Sequence, residues 1–354
     1  MTSSDALSAP YSNTATITLL PTDDLSGVVK TQWRVDSGQI FDGTRAVVTG
    51  AGVRTLTFWS LDAAGNQESA RAVAVTIQDT VAPITASDAV AEYAEVATVT
   101  LSPSDASGIS HTYYRLDGGA PAEGRTVRVP ALGTHQLEFW SVDTQGNTEV
   151  PVMVVFSVKR GVTVSASPLS VTAGYLAPVT LKANLRVSAT GAGLSGRSVV
   201  VYRSYDGVRF TQVKTVSSSS AVLAARVSGS RNAWYRFRYA GDANYAAAWS
   251  PTLRVRVRAA LTTPSGPSSA RRSAWFWVSG AIRPSSDDGP VLIRCYHRES
   301  GRWRLRKTFT AKVRSGRYQS GIALPLAGAW QLRAYHSDAD HAVGSSAPKA
   351  VSVR

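Results

Sequence analysis

Apolar and polar residues alternate one by one along short stretches of this chain. Val179, Leu181, Ala183, Leu185 and Val187 take every second place in one stretch, and Leu253, Val255 and Val257 do so in another. A period of two with one apolar face predicts half-buried β-strands. In the first part of the chain the pattern predicts strands over 14–20, 29–36, 45–49, 53–61 and 70–78. Glycine, proline and aspartate turn signals separate them at the regular spacing of an antiparallel sandwich. Only 7 Lys, 7 Glu and 2 Met occur, whereas Val, Thr, Ser, Tyr and Trp are plentiful, so helix formers are scarce. The fold class expected is all-β.

The pattern repeats. Ser26-Gly27, Arg34, Asp36, Trp59, Ser60, Asp62, Gly65, Asn66 and Glu68 recur 81 residues later as Ser107-Gly108, Arg115, Asp117, Trp140, Ser141, Asp143, Gly146, Asn147 and Glu149. A weaker pair follows: Val201-Tyr202-Arg203 to Lys214-Thr215 matches Arg294-Cys295-Tyr296 to Lys307-Thr308, and Asp242 and Ser250 recur at Asp338 and Ser346. Internal repeats of this kind set the domain map. Four modules are expected, at 1–84, 85–159, 160–258 and 259–354, with the Pro/Ser-rich stretch 262–273 as a flexible linker leading into the fourth. The opening TSSDA matches TASDA at residues 85–89, so Met1 is expected at a module boundary of a longer protein. Trp33 and Val35 match Tyr114 and Leu116, and Leu56 and Phe58 match Leu137 and Phe139, which makes these the candidate core of the first two modules.

The run TITL, then DxSG, then a YRLDGG-like strand, then HxLEFWSxDxxGNxE resembles the Ig-like repeats of secreted and surface proteins of bacteria and archaea, and residues 1–159 carry it twice. Residues 161–258, with SGRSVVVYRSYDGVRF and WYRFRYAGDANYAAAWSP, are similar to another bacterial Ig-like family, and 273–354 look like a diverged relative. The resemblance implies four tandem immunoglobulin-like antiparallel β-sandwiches in an elongated rod. It also implies a secreted or cell-surface location, although the first residues show neither the basic nor the apolar region of a signal peptide. Such modules serve as spacers, adhesive tips and enzyme appendages, so the fold does not dictate the function.

Composition changes this picture in two ways. A single cysteine, Cys295, excludes an internal disulfide, and its phase with Val291 and Ile293 makes it a core thiol. Charge is divided unevenly: residues 1–159 hold 17 acidic and 9 basic side chains, and the remainder holds 7 and 29. A basic half of that strength attracts anionic polymers, such as an anionic cell-wall polymer, an acidic glycan or host surface, or nucleic acid. No apolar run approaches the roughly 18 residues of a membrane-spanning helix.

Four groups of residues carry candidate chemistry. Asp79, Asp105, Asp143 and Asn147 are expected at one end of the second module, where hard oxygen ligands could hold a structural Ca²⁺, while DxxGN also reads as a plain hairpin turn. Asp24, Asp62 and Asn66 form the equivalent set in the first module. His336, Asp338, Asp340 and His341, with Asp287 and Asp288 nearby, can bind zinc or build a polar turn. Arg254, Arg256 and Arg258, beside Arg236 and Arg238, predict a guanidinium-lined sheet face, and Arg302, Arg304 and Arg306 a shorter ladder; both suit a polyanion, or protect an exposed face. Trp59 and Trp140 point outward beneath Arg34 and Arg115, in position for cation–π contact. Lys182 points to water, which argues against a lysine crosslink. No catalytic motif is present, and no cofactor other than the Ca²⁺ is expected. The expectation is a non-catalytic spacer or adhesive stalk whose Arg-rich half contacts anionic surface polymers. The alternative is a carbohydrate-binding accessory region of a larger secreted enzyme.

Overall fold

The computed structural model describes residues 1–285 and 289–354, and every regular element among them is a β-strand. The chain divides into two compact units, Met1–Lys159 and Arg160–Arg354. Each contains two immunoglobulin-like sandwiches with separate cores. In the first sandwich Thr2–Ser4, Thr14–Pro21 and Arg45–Thr49 form one sheet. Tyr11–Ser12, Arg71–Gln78, Gly52–Asp62, Val28–Val35 and Phe41–Asp42, in that order, form the other. The second and third repeat this division into a three-stranded sheet and a longer one. In the fourth, the strand Arg302–Arg314 pairs first with Val291–Glu299 and then with Arg317–Ala323, so both layers join into one continuous sheet.

The alternation read from the sequence is what packs these layers. Ile17, Leu19, Leu56 and Phe58 are buried in the first sandwich, and Val99, Leu101, Leu137 and Phe139 in the second. Each such side chain contributes roughly 1.5–3 kcal/mol of burial. Leu181, Ala183, Leu185 and Val187 are buried in the third, while Lys182 is exposed. Cys295 lies fully in the fourth core, where burial pushes its thiol up to about 12. It is a packing group and no nucleophile.

All four sandwiches open with a strand broken in two. Its first part pairs antiparallel within one sheet, and its second part crosses over and pairs parallel with the last strand of the other, as Tyr11–Ser12 does with Arg71–Gln78. The same device corrects the linker expected at 262–273. Ala260–Leu261 pairs with Trp275–Arg283, Ser265 bridges Ser279, and Ser269–Ala270 pairs parallel with Lys349–Val353. Prolines and serines let the chain change sheets there, and a broken edge strand has the composition of a linker.

The repeated polar residues turn out to fasten this opening strand. In the second sandwich Glu149 is 8% exposed and accepts three hydrogen bonds, from Thr85 N–H (2.7 Å), Thr85 Oγ1–H (2.5 Å) and Ser141 N–H (3.0 Å). Hydroxyls of Thr85, Ser141 and Thr112 continue the network inward. Glu68, Thr2, Ser60 and Thr31 build the same arrangement in the first. The DxSG motif is a second device: Gly27 and Gly108 take φ of 77° and 92°, which only glycine adopts freely, just before a bulge in the following strand.

A third repeated position holds a cation. Arg54 reaches the Asp36 carboxylate (3.4 Å) and the Gly50 carbonyl (3.2 Å). At the equivalent place in the second sandwich, His135 Nδ1 lies 2.8 Å from Asp117 and Nε2 2.9 Å from the Ala131 carbonyl. Burial works against the charged ring, but the Asp117 and Ala131 bonds outweigh it and raise the His135 pKa.

Two predictions follow from these contacts. Replacing Glu149 with Ala leaves buried donors unpaired and should lower the unfolding free energy of the first unit by about 2–4 kcal/mol in urea titration. Because the folded pKa of His135 is raised, its contribution is complete below the unfolded value and is lost as pH rises through the folded one. The melting transition of the unit should therefore fall as pH passes upward through that interval, and His135→Arg should flatten this step by copying Arg54.

Candidate functional site

The strand ends of the second sandwich bring Asp79, Asp105 and Asp143 together, with one carboxylate oxygen of each within 4.8 Å of the others. Asp79 and Asp143 are buried and Asp105 is partly so. The sequence motif positions each one. Asp143 accepts Gln145 N–H (2.9 Å) and Asn147 N–H (2.8 Å), and Asp105 accepts Ser107 N–H (2.8 Å). Asn147 joins as a clamp, its Nδ2–H donating to the Asp79 carbonyl (2.9 Å) and to Asp143 (2.7 Å). Burial acts against the Asp143 charge, yet these bonds hold its pKa below the usual range. DxxGN is thus a turn in its own right, and it also gathers three acidic groups whose mutual repulsion a divalent cation would relieve. The equivalent set in the first sandwich is not gathered among the described residues. There Asp62 is closed onto Asn66, and Asp23, in place of Asp24, caps the Ser26-Gly27 turn.

In the fourth sandwich His336 Nε2 lies 3.0 Å from Asp338 Oδ2, and His341 Nδ1 lies 2.8 Å from Asp338 Oδ1. All three are largely buried, and their ligand atoms fall within 4.8 Å of one another. His341 Nε2 faces the Ser230 carbonyl (2.9 Å), and Asn232 N–H donates to the Asp340 carbonyl (2.7 Å), so the loop fastens the third sandwich to the fourth. Asp340 does not belong to the cluster, because its carboxylate turns away to Arg231 at 3.5 Å. Asp287 and Asp288 lie outside the described residues. Asp338 recurs from Asp242, which bonds Tyr239 and the Tyr245 N–H, so the repeated aspartate serves to close this loop in both sandwiches.

The guanidinium face of the third sandwich is an aromatic face as well. Strand pairing sets Arg254 opposite Trp234, Arg236 opposite Tyr202 and Arg238 opposite Trp249. Arg254 lies 5.3 Å from the Trp234 ring, Arg238 5.3 Å from Trp249, and Arg236 5.3 Å from Phe210. Arg203 and Arg231 stand over Tyr205 at 4.7 and 4.0 Å. Aromatic rings therefore separate the like charges that alternation alone would set side by side. Among the described residues no carboxylate lies within 4.0 Å of Arg203, Arg236, Arg238, Arg254, Arg256 or Arg258.

The shorter ladder differs from expectation. A register shift between Cys295 and Tyr296 leaves Arg306 out of step with Arg302 and Arg304. Glu299 then accepts two hydrogen bonds from Arg306 and lies 3.9 Å from Arg304, and Arg306, with His297 adding to it, pushes the Glu299 carboxyl down to about 2. Alternation cannot reveal a bulge, which moves one residue without changing composition. The broken ladder is replaced by Arg294 over Tyr335 (4.4 Å), Arg298 over Trp303 (6.0 Å) and a Tyr296–Tyr335 hydroxyl contact of 3.0 Å. The period-two spacing of Arg294, Tyr296 and Arg298, and of Gln331, Arg333 and Tyr335, is the signal that could have found this face. A hollow of about 200 Å³ lies between Tyr296, Trp303, Gln331, Arg333 and Tyr335. Of the two tryptophans, Trp140 receives Arg115 at 5.8 Å as expected. Trp59 is instead buried, its Nε1–H donating to Gln32 at 3.0 Å.

No family model and no curated protein matches this chain. Among solved structures it is similar to the fibronectin(III)-like modules of Clostridium thermocellum CbhA, at 21% identity over 45% of this chain and 94% of that one, with a TM-score of 0.21. A tetra-tandem repeat in the extending region of a large adhesion protein is 12% identical over 96% of this chain and 95% of that one, with a TM-score of 0.31. The N-terminal four Ig domains of Dscam1 isoform 8.4 are 11% identical over 98% and 96%, with a TM-score of 0.28. Superposition at these scores carries no functional weight, and the fold assignment rests on the sheets and cores of the chain itself. No helix among the described residues is long and apolar enough to cross a membrane.

The acidic junction is testable by melting. Should Asp79, Asp105 and Asp143 hold Ca²⁺, about 1 mM of the ion should raise the midpoint of the first unit, and Asp105→Asn should abolish the rise. An unchanged midpoint assigns the three carboxylates to the turn alone.

Proposed function

We propose that this chain is a non-catalytic, multi-Ig-like secreted or surface protein, a spacer and adhesive stalk that contacts anionic surface polymers through its basic half. One observation carries the reading: the outer face of the third sandwich presents Arg236, Arg238 and Arg254 between Phe210, Trp234 and Trp249 without a carboxylate partner among the described residues. Guanidinium planes held by rings lose little side-chain freedom on meeting an anion, and their five donors suit carboxylate, phosphate or sulfate groups. The sandwiches themselves do no chemistry in this reading. They hold the face in place, and each anionic group neutralised releases counterions to solution.

Binding of the full chain to immobilised heparin, measured across a salt series, tests this. The expected result is retention at low salt that collapses by about 0.5 M, with Arg236→Ala/Arg238→Ala/Arg254→Ala weakening it and flattening the salt slope. Equal retention of the triple variant would sink the proposal.

A further inference from the structure

The strand Trp275–Arg283 carries a second exposed feature, on a different layer of the fourth sandwich. Trp275 and Trp277 are 72% and 65% exposed, while Val278 and Ile282 on the opposite side of the strand are buried in the core. The neighbouring strand sets Ala323 opposite Trp275 and Gly321 opposite Trp277. A Cβ on Gly321 would stand 3.5 Å from Trp275 Cε3, 3.7 Å from Trp275 Cζ3 and 3.9 Å from Trp277 Cη2. The six-membered rings of both indoles therefore meet over the glycine and stay largely open to water, with Phe309 edge-on to Trp275 at 6.5 Å between centroids. Two adjacent indoles on one face form an apolar patch of the kind that marks a contact surface.

The patch passes directly into positive charge. In the next rows Ser279 pairs with Gln319 and Gln319 with Lys312, and then Ala281 pairs with Arg317 and Arg317 with Arg314. Lys312, Arg314, Arg317 and Gln319 are all exposed, and among the described residues no carboxylate lies within 4.0 Å of the three cations. From Trp275 to Ala281 the face runs about 20 Å at the usual strand rise. It thus offers stacking planes at one end, hydroxyl and amide hydrogen-bonding groups in the middle and cations at the other.

We infer that this face binds an acidic heteropolysaccharide, with sugar rings stacked on Trp275 and Trp277 and acid groups held by Lys312, Arg314 and Arg317. The occupant follows from the order of the groups. The two tryptophan rows contain no cation, so the stacked units are neutral, and charge enters on either side of them, at Lys312, Arg314 and Arg317 and at the exposed Arg271 and Arg272 of the turn before the strand. Single-stranded nucleic acid places a phosphate beside every base and is best met by cations interleaved with rings. A lipid surface is met by an extended apolar face, whereas the row beside these two indoles is Ser279 and Gln319. The inference is independent of the Arg236 face, which lies on the third sandwich.

Binding of the full chain to hyaluronate and to xanthan, both of which combine neutral and acidic sugars, provides the test, with dextran, oligothymidylate and anionic vesicles alongside. The expected result is a component that survives about 0.5 M salt, quenches tryptophan fluorescence, and falls about tenfold or more in Trp275→Ala/Trp277→Ala. It should persist in the Arg236→Ala/Arg238→Ala/Arg254→Ala chain, which separates the two faces. Lys312→Glu/Arg317→Glu should remove the salt-sensitive part of hyaluronate binding that the triple variant retains. Gly321→Val, which keeps both tryptophans but crowds their rings apart, is the second variant and should weaken binding with the melting midpoint measured in parallel. Hyaluronate and xanthan binding that is absent, or that the tryptophan variants leave unchanged, overturns the inference. So does a tryptophan dependence seen only with oligothymidylate or vesicles.

Discussion

A sandwich without a disulfide must hold its first strand by other means, and here a buried carboxylate does so. Glu149 receives two bonds from Thr85 on the opening strand and one from Ser141 on a central strand, so it ties an edge to the middle of the molecule. Glu68 does the same in the first sandwich. In these two sandwiches the crossover of the opening strand between layers depends on such fastenings because a short edge segment buries little apolar surface of its own. In the third and fourth the recurring polar residue is a serine that ties the segment before the last strand to its neighbour instead. Ser250 and Ser346 each accept a backbone N–H, from Phe237 at 2.9 Å and Ala334 at 3.0 Å, and donate to the next residue's carbonyl. The residues that recur between modules are thus mostly structural polar groups, and repetition in the sequence reports the fold before it reports a ligand.

The charge asymmetry is a different matter, because nothing in the core requires it. A row of arginines on a sheet face repels itself, and this fold relieves the repulsion with rings: Trp234, Trp249, Phe210 and Tyr205 stand among the guanidinium groups. In the fourth sandwich relief comes instead from Glu299, which takes Arg306 out of the basic face. The two solutions leave different surfaces. One remains free for an anion, and the other is already neutralised in part.

Strand positions, the inward residues of each strand and the four-fold organisation were legible from alternation and from the 81-residue repeat, since a period of two with one apolar face has few ways to pack. Asp79, Asp105, Asp143 and Asn147 could be grouped as well, because turn motifs place them at known ends of a sandwich. The linker at 262–273 was misread because a strand that changes sheets needs the same prolines and serines as a flexible tether. Asp340 was grouped with the histidines by proximity in sequence, but a loop turns successive side chains in different directions.

Alternation by itself determined that this protein is all-β and that its layers bury Ile17, Leu56, Leu137, Leu185 and their like, and composition that its second half is strongly basic. Tertiary structure alone decided which arginines keep an open face, that Trp59 is buried while Trp140 is half-covered by Arg115, and that Trp275 and Trp277 meet over Gly321. The reason is physical. Inward and outward are encoded by local periodicity, whereas the neighbour across a sheet is set by register, bulges and the partner strand, which no single stretch of sequence contains.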